Sequence, residues 1–124
     1  MIKMIAVLTR RPNLTREQFR DHYENVHVPL IKGIMGDDLL HYVRNYTQRK
    51  GPASVGHEPG FDCVTELHFA DKATFDRAIG IIEEPENARR ARADEASFLD
   101  MSKVQIAVVE TETRVDRVSP NLVN

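Results

Sequence analysis

The chain has no tryptophan, one cysteine, no long apolar run and almost no net charge. With Cys63 alone, an intramolecular disulfide is excluded. Seventeen Lys and Arg against nineteen Asp and Glu leave a formal charge of -2, so there is no broad positive field to hold nucleic acid or an anionic membrane surface. The amino-terminal apolar stretch is broken by Lys3 and then by Arg10 and Arg11, too early for a secretory segment, and the expected address is cytoplasmic. Neither a G-x-S-x-G elbow, a phosphate-binding glycine loop nor an H-E-x-x-H pair occurs, which removes lipase-like, nucleotide and zinc-protease chemistry. Repeats and low-complexity blocks are absent too.

What is present reads as one small globular domain, since 124 residues divided in two would leave two marginal cores. Residues 2 to 9 are short and apolar on both faces, bounded by Arg10-Arg11-Pro12-Asn13, and predict a strand covered on both sides. Thr15 and Gln18 form a capping-box pattern that starts a helix near Arg16. Phe19, Tyr23, Val26 and Leu30 then recur at helical spacing and predict its core-facing stripe. Pro29 cannot donate to Asn25, so the helix is expected to loosen between Asn25 and Pro29.

Residues 39 to 49 predict a second strand, the Gly- and Pro-punctuated stretch 51 to 60 a long loop, and 62 to 70 a third strand. In that third strand Cys63, Thr65, Leu67 and Phe69 oppose Val64, Glu66 and His68. A short helix capped by Asp71 follows, carrying Phe75, Ala78, Ile79 and Ile82 inward and cut short by Gly80. A second helical piece starts near Pro85, and residues 103 to 112 predict the last strand. The domain is expected to span 1 to 112, with 113 to 124 as a polar arm or frayed tail. The order βαββαβ is that of the ferredoxin-like α+β fold, an antiparallel sheet with helices on one face. Because the first and last strands are apolar on both faces, the uncovered face implies a homodimer packed sheet against sheet.

The densest group of acid-base residues lies between Phe19 and Leu30. His27, one turn after Tyr23, stands at the edge of the apolar stripe, with His22 about as far to the other side, so both can border a cleft. An imidazole is the side chain best poised to move protons near neutral pH, and a helix end tunes it. The bland alternative is a boundary histidine satisfied by a carbonyl that Pro29 frees. Spacing i, i+5 is expected to keep His22 and His27 apart, so no metal pair is inferred, and Cys63 reads as a small buried strand residue rather than a nucleophile.

The run Tyr23-Glu24-Asn25-Val26-His27-Val28-Pro29-Leu30, after Arg10-Arg11-Pro12-Asn13-Leu14-Thr15-Arg16-Glu17-Gln18-Phe19, resembles the EthD-like family of dimeric α+β barrel proteins. Leu67-His68-Phe69-Ala70 and the stretch from Ala93 to Asp100 are similar to that family's second half. The resemblance implies a dimeric barrel and cofactor-free chemistry on a small molecule. By matching to the methylmuconolactone isomerases of that fold, it places His27 on their helical histidine, Tyr42 on their second-strand tyrosine and His57 on a loop histidine. Their third-strand cysteine falls on Leu67 here, which argues against that isomerisation itself.

The function expected is therefore a lyase or isomerase acting by acid-base chemistry on a carbonyl- or lactone-containing compound. His27 is the base, Tyr42 the hydrogen-bond donor to an enolate oxygen and His57 an acid or clamp, with Tyr23, His22 and His68 bordering the pocket. A non-catalytic ligand-binding protein and a heme- or oxygen-dependent enzyme on the same scaffold stand as alternatives.

Overall fold

Four strands build the sheet: β1 (Ile2–Leu8), β2 (His41–Tyr46), β3 (Cys63–Phe69) and β4 (Gln105–Val109). The computed structural model describes residues 1–49 and 58–116. All neighbouring strands are antiparallel, in the order β2-β3-β1-β4, which puts the two apolar strands β1 and β3 at the centre. The helices are α1 (Arg16–His22), α2 (Val28–Met35), α3 (Lys72–Ile82) and α4 (Pro85–Phe98), with a π-helical turn at Tyr23–His27 between the first two.

The capping box forms as the sequence predicts. The Gln18 N–H donates to Thr15 Oγ1 at 3.1 Å and the Thr15 N–H donates to Gln18 Oε1 at 2.9 Å. Replacing Thr15 with Ala removes one of these bonds and is expected to cost about 1 kcal/mol of stability, read from the urea midpoint. Asp71 caps α3 through the Thr74 N–H, and that helix runs straight through Gly80 to Ile82, so the glycine does not shorten it. Gly36, at φ 63, ends α2 in a backbone conformation that side chains with a Cβ rarely adopt.

Register fixes which residues meet the helices. Tyr42 and Met4 both oppose Leu67, while Arg44 and Ala6 both oppose Thr65, and these rows face the helices. The core on that side joins Leu8, Phe19, Tyr23, Val28, Cys63 and Phe98 to a second group around Ile31, Met35, Leu67 and Phe69. The other sheet face carries Ile5, Val7, Val43, Val64 and Val109, all only half-buried in the single chain, and an exposed Ala107. The last strand is shorter than expected at both ends: Met101–Lys103 makes a turn of 3-10 helix in front of it, and pairing with β1 stops at Val109.

Candidate active site

The site begins with a missing hydrogen bond. Pro29 has no N–H, and just before it the helix widens by one residue, so that the Val28 N–H reaches back five positions to the Tyr23 carbonyl. The widening moves the buried stripe. Phe19 and Tyr23 are followed inward by His27, Val28, Ile31 and Met35, whereas Val26 is 46% exposed and Leu30 half-buried. Val26 and Leu30 are thus corrected from core to surface and boundary. His27 moves from the edge of the stripe into the core, at 6% exposure.

The same turn overturns the expectation that His22 and His27 stay apart, since a wider turn closed by an i→i+5 hydrogen bond brings residues five apart close to one face. Both rings bond one carboxylate, that of Asp94 on α4. His27 Nδ1 lies 2.8 Å from Oδ2 and His22 Nε2 lies 2.9 Å from Oδ1. Buried Ala88 and Ala91 give α4 a small-residue face earlier along the same helix. An ionised carboxylate only accepts, so each ring nitrogen facing it carries the proton. In neutral His27 this leaves Nε2 with the lone pair, and Nε2 has no hydrogen-bond partner among the described residues. Burial pushes the His27 pKa below its ordinary value, outweighing the upward pull of Asp94, so the ring is neutral at pH 7.

His27 lines a cavity of about 120 Å³ between the sheet and the helices. Its walls are mostly apolar, with Met4, Ala6, Leu67, Ile31 and Met35 among them, and its polar groups are His27, Tyr23, Tyr42, Thr65 and Glu95. The Tyr42 hydroxyl donates to the Tyr23 hydroxyl at 3.1 Å. The Tyr23 and Thr65 hydroxyls share a further hydrogen bond at 2.5 Å, in which either oxygen can carry the proton. Burial pushes the Tyr23 phenol up to about 12 and raises Tyr42 further, with Tyr23 adding to the effect, so both act as donors and not as bases. Beside Tyr42, Arg44 forms a two-pronged pair with Glu24 at 2.9 and 2.6 Å, and its guanidinium lies 5.1 Å from the centre of the Tyr42 ring.

Three of the residues expected from sequence, His27, Tyr42 and Tyr23, therefore share the cavity wall. His22 does not line it; it stands behind, on Asp94, and packs its ring against Phe98 at 4.8 Å. His68 is corrected: as an even-numbered residue of β3 it occupies the opposite sheet face, bonded to Glu66 at 3.0 Å and 5.5 Å from the His41 ring. His57 lies outside the described residues. Cys63 is fully buried, does not line the cavity, and its thiol is pushed up to about 11 by burial, which keeps it protonated and unreactive.

Sequence reasoning missed Asp94 and Glu95. Their signal was positional: Glu95 follows Ala91 by four and precedes Phe98 by three, so a carboxylate sits on the inward stripe of α4. Among the described residues no group of three His, Cys, Asp or Glu side chains is arranged to hold a metal ion, and no helix is long and apolar enough to cross a membrane.

A one-faced antiparallel sheet whose helices close over a histidine-walled cavity defines a ferredoxin-like α+β protein. The chain belongs to the EthD domain family, which matches residues 11–102. It is 22% identical over 108 residues to the dehydratase ustZ of Ustilaginoidea virens, covering 80% of this chain and 75% of that one. It superposes with a TM-score of 0.65 on an EthD family protein of Bacillus halodurans, 20% identical, covering 90% of this chain and 99% of that one. A dimeric ferredoxin-like protein of Thermobifida fusca gives a TM-score of 0.56 at 18% identity, covering 87% and 88%.

Proposed function

We propose that this protein is a lyase or isomerase that works by acid-base chemistry with its own side chains on a small carbonyl- or lactone-containing molecule, dehydration being the favoured reaction. The observation that carries this reading is the His27–Asp94 pair, with an unpartnered Nε2 on a ring that walls an apolar cavity. Nε2 removes a proton from the carbon beside the carbonyl, and the electron pair moves onto the carbonyl oxygen. The Tyr42 O–H turns from the Tyr23 hydroxyl, to which it donates at 3.1 Å, to meet that oxygen as its charge grows, and Asp94 stabilises the imidazolium that forms. The distant relative that is named a dehydratase supports elimination of water over ring rearrangement. A panel of β-hydroxy ketones and lactones, incubated with the full chain and followed by NMR, tests the reading. Turnover of a β-hydroxy ketone is expected, and inertness across the panel would contradict it.

The working unit is a homodimer. The support is the sheet face of Ile5, Val7, Val43 and Val64, which is apolar and incompletely covered in one chain, together with the Thermobifida relative described as dimeric. Val7→Asp places a charge at the middle of that face. Sedimentation is expected to show a dimer for the parent chain and a monomer for the variant; a monomeric parent would contradict the assembly.

A further inference from the structure

The cavity holds a carboxyl group that the reaction above does not use. Glu95 lines it from α4, next in sequence to the aspartate that orients the base, yet its carboxyl has no hydrogen-bond or ion-pair partner among the described residues. The contrast with the other half-buried carboxylate on the same helix is sharp, since Asp94 bonds two rings. A carboxylate left among Ile82, Leu99 and Ile106 loses much of its hydration, and the cation acting on it, Arg92 three residues earlier on α4, forms no ion pair with it among the described residues. Such a group lowers its cost by holding a proton, and burial raises its pKa, outweighing the downward pull of Arg92, with nearby Asp94 adding to the rise. A protonated carboxyl lining the same cavity as a neutral imidazole supplies a donor beside an acceptor, two groups whose surroundings push them to complementary protonation states.

We propose that Glu95 is the general acid of the site and that the substrates are β-hydroxy carbonyl compounds, whose hydroxyl it protonates as it leaves. The inference rests on His27 being the base. The step balances as follows: Nε2 takes the proton on the carbon beside the carbonyl, and that C–H pair becomes the new C=C bond. The C–O bond at the β carbon breaks, and the Glu95 proton goes to the departing oxygen, which leaves as water. The imidazolium proton then returns to the Glu95 carboxylate through that water, restoring both groups. Hydroxide is a poor leaving group from a desolvated cavity, so protonation matters for the second bond and not for the first.

Two processes thereby separate. The probe is the aldol adduct of benzaldehyde and acetone, a β-hydroxy ketone, given to the full chain in heavy water. The parent protein is expected both to exchange the protons beside the carbonyl and to release the enone. Glu95→Gln is expected to keep the exchange while losing elimination by about a hundredfold or more. His27→Gln is expected to lose both. Elimination unchanged in Glu95→Gln overturns the role of Glu95 and leaves the base standing; exchange unchanged in His27→Gln overturns the base on which it rests. Loss of exchange in Glu95→Gln also contradicts the inference. Carbon NMR of the labelled Glu95 carboxyl in the parent protein decides the matter without turnover. A signal titrating above the ordinary range of exposed glutamates supports the role, and one titrating with them overturns it.

Discussion

His27→Gln is expected to lower turnover by on the order of 10²- to 10⁴-fold while circular dichroism and the oligomeric state stay unchanged. Glutamine can still meet Asp94 through its amide, so packing against Phe98, whose ring centre is 5.1 Å from that of His27, is largely kept. What disappears is the only nitrogen lone pair on the cavity wall among the described residues. The parent should show an acid limb in its rate profile below about pH 6.5, because the His27 pKa is lowered by burial and only the neutral ring accepts a proton. The same shift couples to folding. A ring whose folded pKa lies below its unfolded value binds more protons when unfolded, so its contribution is fully present above about pH 6.5 and declines as pH falls. In His27→Gln that part of the decline is absent. A variant with parental turnover would remove His27 from the chemistry.

Asp94→Asn carries the second large effect. The carboxylate accepts from two imidazoles at once, whereas an amide has one oxygen and one NH₂ and so can accept from only one of them. If the NH₂ turns to His27, the ring must offer a lone pair at Nδ1 and move its proton to Nε2, the atom that has to be bare. The loss expected is on the order of 10²- to 10⁴-fold in kcat, with a smaller change in KM, since Asp94 touches the base and not the substrate. The sign of the pH effect separates orientation from mere packing. Asp94 raises the His27 pKa by hydrogen bond and by charge, so its removal moves the acid limb to lower pH. A limb that stays in place, or moves upward, would contradict the pairing.

Much of this was legible in the residues. The strand faces were readable because alternation in β3 has a period of two and the cysteine, threonine, leucine and phenylalanine series is unbroken; burial follows it residue for residue. His27 was legible as a candidate because proline two positions later disturbs a helix. The depth of the ring was not, since an ordinary helical projection assumes 3.6 residues per turn and the π-turn violates it at that place. That one inserted residue explains the exposed Val26, the buried His27 and the shared carboxylate together. For His68 the cavity face hinges on strand register, and its parity in β3, shared with Glu66, puts it on the far face. Asp94 and Glu95 were hidden by composition: in a helix of mean character dominated by Arg, Glu and Ala, two more acids look like surface. Only the contact across to the π-turn, more than sixty residues away in sequence, gives them meaning.

The tautomer of His27 is the quantity on which the account turns, and long-range proton–nitrogen NMR of the uniformly labelled chain at pH 7 reads it directly. The expected spectrum has a neutral ring with the proton on Nδ1 and an unprotonated Nε2. A ring carrying its proton on Nε2, or a doubly protonated ring at that pH, would contradict a base poised over the cavity.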